Sequence, residues 1–244
     1  MLVSVTGCGN DPVKSTPTVV LTMNFTPPLR PFGTVFQACT RMQPGLSLLV
    51  NELSASQITY LPADIFLTWG PADIPDRKPY QTGSEELVFI VNRDNPAISM
   101  SQQQLESILS GKFTTWNSVL QPECPDCAAD SPEKPIAETT IEIWSYPDFE
   151  ETFIALQSFP GGINIPKNIS HIAPDSEAML LSISQNFSAI GYIPRRWLDD
   201  RVKIIEILDL SQESLNHPIL AYPKEPLNPV SSSFISCLQN VLNP

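Results

Sequence analysis

Short apolar runs alternate along this chain with stretches whose apolar residues recur every three or four positions. The runs, each four to six residues long, predict strands over 18–23, 46–51, 65–68, 87–92, 141–145, 189–193, 202–207 and 218–222. The helical stretches have readable ends. Thr26-Pro27 reads as an N-cap followed by proline at the first helical position. Leu29, Phe32, Phe36 and Cys39 then share one face until Pro44-Gly45. Ser101 and Gln104 make a capping box ahead of Leu105, Ile108 and Leu109, and Gly111 ends that helix. Asp148 and Glu151 suggest another box, with Phe149, Phe153 and Leu156 at helical spacing. Asn228-Pro229 opens a last helix that buries Val230, Phe234, Cys237, Leu238 and Val241. Strands alternating with helices predict an α/β fold built mostly on parallel pairing.

At 244 residues and 42% hydrophobic content the chain has room for one large core or two smaller ones, and it contains no apolar run of membrane-spanning length. A formal net charge of −12 argues against nucleic acid as a partner, because binding a polyanion rests on Lys and Arg contacts to phosphates. Cysteine usage points outside the cytoplasm. Val5-Thr6-Gly7-Cys8 resembles a bacterial lipobox, and 9–17 reads as a polar, proline-containing tether. Only seven residues precede Cys8, too few for a signal peptide, so the expectation is a start further upstream and a lipidated Cys8. The remaining four cysteines are an even number. Cys124 and Cys127, in a proline-rich acidic loop, suggest a local disulfide. Cys39 and Cys237, on apolar helix faces, are either buried thiols or a second bridge, and burial without a bond is the expectation.

One segment is specific in order and spacing. Leu87-Val88-Phe89-Ile90-Val91-Asn92 is followed by Asp94-Asn95-Pro96, the capped helix to Gly111, and Lys112-Phe113-Thr114-Thr115-Trp116-Asn117. It resembles the passage from the first lobe to the second in phosphate-type solute-binding proteins of ABC transporters. Ala63-Asp64-Ile65 with Gly70, and Ala189-Ile190-Gly191-Tyr192-Ile193-Pro194, are similar to the strands that close the first lobe and leave the second. The resemblance implies a two-lobed, type II periplasmic-binding-protein-like α/β fold, with mixed sheets flanked by helices and two crossing hinge segments. Residues 1–17 would be a lipoprotein signal remnant and tether, 18–88 with 191–244 a discontinuous lobe 1, and 89–190 lobe 2. It also implies an extracytoplasmic, lipid-anchored bacterial monomer that presents a small-molecule solute to a membrane permease, without cofactor or metal.

In open α/β sheets ligands bind beyond the carboxyl ends of strands. Three loops qualify, and they offer Asn24, Thr26 and Arg30 from the first, Thr68 and Trp69 from the second, and Ser145 and Tyr146 from the third. Phosphate-binding members of the family carry, at the place of 144–153, an Arg ahead of a Gly-Ser-Gly-Thr turn that cradles the anion. Here the segment reads Trp144-Ser145-Tyr146-Pro147-Asp148-Phe149-Glu150-Glu151-Thr152-Phe153. Asp148 is expected to cap the helix and take its donors, and Glu150 and Glu151 to oppose an anion. The expected solute is therefore neutral or cationic rather than phosphate, with Trp69, Tyr146 and Trp144 as aromatic surface, unless these rings pack in the core. The alternative is a degenerate binding-protein-like domain used for sensing or protein interaction. No catalytic residue is assigned. His171 and His217 stand alone, and the neighbouring pairs Glu85-Glu86, Glu150-Glu151 and Asp199-Asp200 are expected to point apart.

Overall fold

Strand pairing follows the apolar runs and sets the plan of the molecule, of which the computed structural model describes residues 19–119, 139–159 and 162–243. β1 (Val19–Phe25) lies parallel between β2 (Leu46–Glu52) and β3 (Ile65–Trp69). β11 (Asn216–Pro223) runs antiparallel beside β3 and joins the sheet to β4 (Tyr80–Asn92), which is 13 residues long. β4 belongs to two neighbourhoods. Residues 80–86 pair with β11, and residues 87–92 pair with β8 (Ala189–Pro194) and β9 (Val202–Ile204). β6 (Glu142–Ser145) and β7 (Ser170–Ile172) extend the second half in parallel. The order is β2-β1-β3-β11-β4-β8-β6-β7, and β5 (Ser99–Met100) and β10 (Glu206–Ile207) form a separate ladder. This is the mixed, type II α/β architecture expected, with β4 as the strand common to both halves.

The first half needs cover on both faces. One face packs against α1 (Gly33–Arg41) and α5 (Pro229–Leu242), whose Asn228 cap accepts from Ser231 N at 2.8 Å. On the other, Ile58, Ala63, Phe66, Ile74 and Tyr222 form a smaller cluster. Arg77 staples it, donating to the carbonyls of Ala63, Tyr222 and Asp64 while its guanidinium lies 4.0 Å from the centre of the Phe66 ring. In the second half α2 (Gln102–Leu109) carries the expected Ser101–Gln104 capping box, and α4 (Ser176–Gln185) packs against β8.

Several sequence expectations need correction. The first helix begins as a 3-10 turn over Pro27–Phe32, because closely spaced prolines remove the donors an α-helix would use, and the Thr26 side chain does not cap it. α3 (Glu151–Gln157) is capped by Glu150 rather than Asp148, and Phe149 lies outside it, exposed. The strand expected over 202–207 is two short ones, paired with different partners. β7 and α4 were not expected. The former is a three-residue edge, and the latter is a helix rich in small polar residues whose apolar positions include the exposed Leu181.

Cys39 and Cys237 are not free buried thiols but a disulfide, with Cα atoms 5.7 Å apart, tying α1 to α5. The tether, Cys8, Cys124 and Cys127 lie outside the described residues. Among the described residues no helix is long and apolar enough to cross a membrane.

Candidate functional site

The carboxyl ends of β1, β3 and β6 converge where the two halves of the sheet meet, as the strand order requires. There the β6–α3 turn puts a carboxyl group into the other half. Glu151 Oε2 accepts a hydrogen bond from Thr26 Oγ1 at 2.5 Å and another from Trp69 N at 3.3 Å. These partners lie 125 and 82 residues away in sequence. Thr26 follows β1 and Trp69 ends β3, so one side chain from the second half bridges two strand ends of the first.

Glu150 sits beside it. Its backbone is extended, with φ −85° and ψ 136°, and its carboxylate caps α3 by accepting from Thr152 N at 2.5 Å. Adjacent residues point apart in a regular helix or strand, but the cap position breaks that rule. Glu150 and Glu151 both border one small cleft, contrary to the sequence expectation. Both are more than nine-tenths buried, and among the described residues no Lys or Arg pairs with either. Burial therefore raises the Glu150 carboxyl to about 7 and, helped by the neighbouring Glu150 charge, Glu151 to about 8.

The cleft is lined by Pro27, Pro28 and Ser54 on one side and by Phe149, Glu150 and Glu151 on the other, and it holds about 60 Å³. A water needs roughly 10–15 Å³ by the same kind of measure, so the space suits a few waters. Organic ligand pockets run to roughly 300–1,000 Å³.

Behind the cleft the polar atoms of the second half satisfy one another. Ser145 Oγ lies 2.9 Å from the Tyr192 hydroxyl, and the Tyr146 hydroxyl lies 3.1 Å from the Tyr192 carbonyl and 3.2 Å from Ser176 Oγ. Tyr146 and Tyr192 also meet edge-on at 5.3 Å. Both phenols are pushed up by burial, so they serve as neutral hydrogen-bonding groups. At the rim Arg30 spans the halves in the open. It pairs with Glu52 at 2.6 Å on its own side, and across the cleft with Glu177 at 3.1 Å and Asp175 at 3.8 Å.

Residues 78–206, just over half of the chain, match the family model for the PBP superfamily domain. The chain belongs to the PBP superfamily. Solved structures share the fold of this PBP-superfamily chain at low identity. A phosphate ABC transporter substrate-binding protein from Clostridium perfringens with bound phosphate superposes with TM-score 0.70 at 20% identity, over 90% of this chain and 93% of that one. An ABC-type phosphate transport receptor from Vibrio cholerae gives 0.61 at 16%, over 90% and 93%. The regulatory domain of CcmR from Synechocystis PCC6803 in complex with 2-PG gives 0.63 at 13%, over 92% and 97%. No curated protein matches the sequence.

In this PBP-superfamily fold the seven sequence candidates separate by what their polar atoms do. Asn24 is buried and committed, its amide donating to the carbonyls of Ile58 and Leu61 and accepting from Asn51. The Thr68 hydroxyl donates to the Gly70 carbonyl within its own turn, where Gly70 has φ +93°. Trp69 and Tyr146 are core residues: the Trp69 indole donates to the Glu85 carbonyl and meets His217 edge-on. Trp144 stacks on His171, with ring centres 5.0 Å apart. The aromatic surface expected for a solute is thus packing, and Ser145 is a support for it. Thr26, the Trp69 N–H and the Arg30 guanidinium remain as groups that meet across the halves. Sequence reasoning took Glu150 and Glu151 as deterrents to an anion and missed both the capping by Glu150 and the direct engagement of Glu151 with Thr26 and Trp69. The signal available was their place in the third loop, but not the partners of Glu151, which come from distant strand ends. Asp148, expected to do the capping, instead pairs with Lys167 at the surface.

Proposed function

We propose that this protein is an extracytoplasmic solute-binding component of an ABC-type transport system, lipid-anchored through Cys8, that captures a small solute other than phosphate between two lobes. In this reading lobe 1 comprises 18–88 with 191–244 and lobe 2 comprises 89–190, joined near the Glu86–Leu87 change of partner in β4 and the end of β8. The PBP superfamily assignment and the likeness to transporter substrate-binding proteins support the solute-binding part.

The observation that carries the exclusion of phosphate is the bond from Thr26 to Glu151, because a buried donor beside the cleft, at the end of β1, is already spent on a protein carboxyl group. A phosphate there would have to displace Glu151 and then lie beside two buried carboxyls without a compensating cation. A neutral or cationic solute meets no such opposition. A hydroxyl or amide suits the site best, since it can accept from Thr26 and the Trp69 N–H while donating to a freed Glu151.

A thermal-shift screen of the full chain against sugars, polyols, amines and amino acids, with inorganic phosphate included, tests this. A solute present at a hundred times its Kd stabilises the folded state by about 2.7 kcal/mol, a readily measured shift. The expected result is a response to a neutral or cationic compound and none to phosphate. A chain that responds to no small molecule would favour use as a sensing or protein-interaction domain.

A further inference from the structure

We propose that the carboxyl group of Glu151 is the cleft's own ligand: it takes the Thr26 and Trp69 donors that a solute would meet, holds the empty cleft shut, and must be displaced for a solute to enter. This rests on the solute-binding reading and adds to it a closed resting state and the residue that maintains it.

Three observations support the assignment. Glu151 comes from the β6–α3 turn, whereas both its donors come from strand ends in the other half, so its bonds cannot form unless the halves are together. The space left beside it is about 60 Å³, so the contact and an organic solute exclude each other. The same seam is fastened at its rim by Arg30, which pairs with Asp175 at 3.8 Å and Glu177 at 3.1 Å. The protein itself thus supplies contacts that reach both sides, as a bound solute would.

The chemistry of the surroundings gives the latch a direction with pH. Facing Glu151 from its own half are Glu150 and, beyond it, Asp175, Tyr146 and Tyr192. From the other half it faces Thr26 and Trp69, with His217 against the indole and Glu85 behind it. Arg30, which reaches across the halves, is engaged at the rim with Glu52, Asp175 and Glu177. An uncharged Glu151 suits this enclosure, and an ionised one is better solvated in an open cleft. Raising the pH therefore favours opening.

The test is small-angle scattering of the full chain at pH 5 and pH 9, joined to amide exchange at Trp69, for the wild type, E151Q and E151A. The wild type is expected to be compact at pH 5 and to open at pH 9. E151Q, which keeps the acceptor and cannot ionise, should stay compact at both. E151A should be extended already at pH 5 and lose protection of the Trp69 amide, with its far-ultraviolet spectrum unchanged. Should E151A not fold, E151Q against wild type at pH 9 still decides the matter. Identical scattering of E151Q and wild type at pH 9, or of a folded E151A and wild type at pH 5, overturns the latch. Neither outcome touches solute capture, which fails separately if phosphate binds the wild type or no solute binds at all.

Discussion

A buried carboxyl group without a cationic partner destabilises the fold when it ionises, and here two stand side by side. With Glu150 held up to about 7 and Glu151 to about 8, against an ordinary value of 4.5, the folded state binds protons more tightly than the unfolded chain. Their contribution to stability is therefore fully present below about pH 4.5 and is lost as the pH rises through 7 to 8. Urea unfolding should show a protein less stable at pH 8.5 than at pH 5 by on the order of a few kcal/mol, and E150Q with E151Q should remove most of that slope. The residue scale is also where the sequence was least legible. Asn24, Thr68, Trp69 and Tyr146 sit in the loops where ligands bind in such folds, yet their side chains are spent on packing or on hydrogen bonds within their own half. Residue type and place in the chain do not reveal which hydrogen-bonding atoms are already taken. That depends on partners such as Ile58, Gly70 and Tyr192, whose positions only the fold fixes.

At the scale of elements the readable parts are those with strong local signals. The Ser101–Gln104 box and the Asn228-Pro229 start are both present where expected, because capping is decided within four residues. The family-like segment after β4 is legible for a similar reason. Asn92 accepts from Asp94 N at 3.0 Å and donates to the Ser184 carbonyl at 2.7 Å, while Asn95 accepts from Ala97 N and donates to the Phe187 carbonyl. Those residues stitch the end of β4 to the end of α4, which makes the segment a structural signature rather than a ligand loop. The first half of β4 was not legible. Residues 80–86 are mostly polar, and their strand state comes from β11 and from α5 packed above. Gly83 shows how close that packing is: a Cβ there would stand 2.7 Å from Leu242 Cβ. Gly83→Ala should push α5 outward and cost about 1–3 kcal/mol, read as a lower urea midpoint with unchanged binding. The Cys39–Cys237 bond closes a loop across 198 residues. On the chain-entropy account its loss, as C39S with C237S, should cost up to about 5 kcal/mol, and wild type in strong reductant should lose stability similarly.

The whole molecule is organised around one strand that changes partners. Glu86 is the last residue of β4 paired with β11 and Leu87 the first paired with β8, so the sheet turns from one half to the other at a single peptide. Charged pairs flank that point, Arg195 with Glu86 at 2.5 Å and Arg196 with the buried Glu85 at 3.3 Å. In the proposed reading, opening about this region would break the Glu151 and Arg30 contacts while leaving the strand pairing intact, which would link the cleft chemistry to solute capture. The superfamily and the mixed α/β class were readable from ordered motifs, whereas the strand order was not. The state of the cleft was not, because it depends on a carboxyl group meeting a hydroxyl 125 residues away. The central claim is that this carboxyl group stands where an anion would be held, and titration calorimetry of the full chain with inorganic phosphate at pH 7 tests it most directly. The account predicts no saturable heat up to millimolar phosphate; a one-to-one isotherm with a micromolar Kd would contradict it.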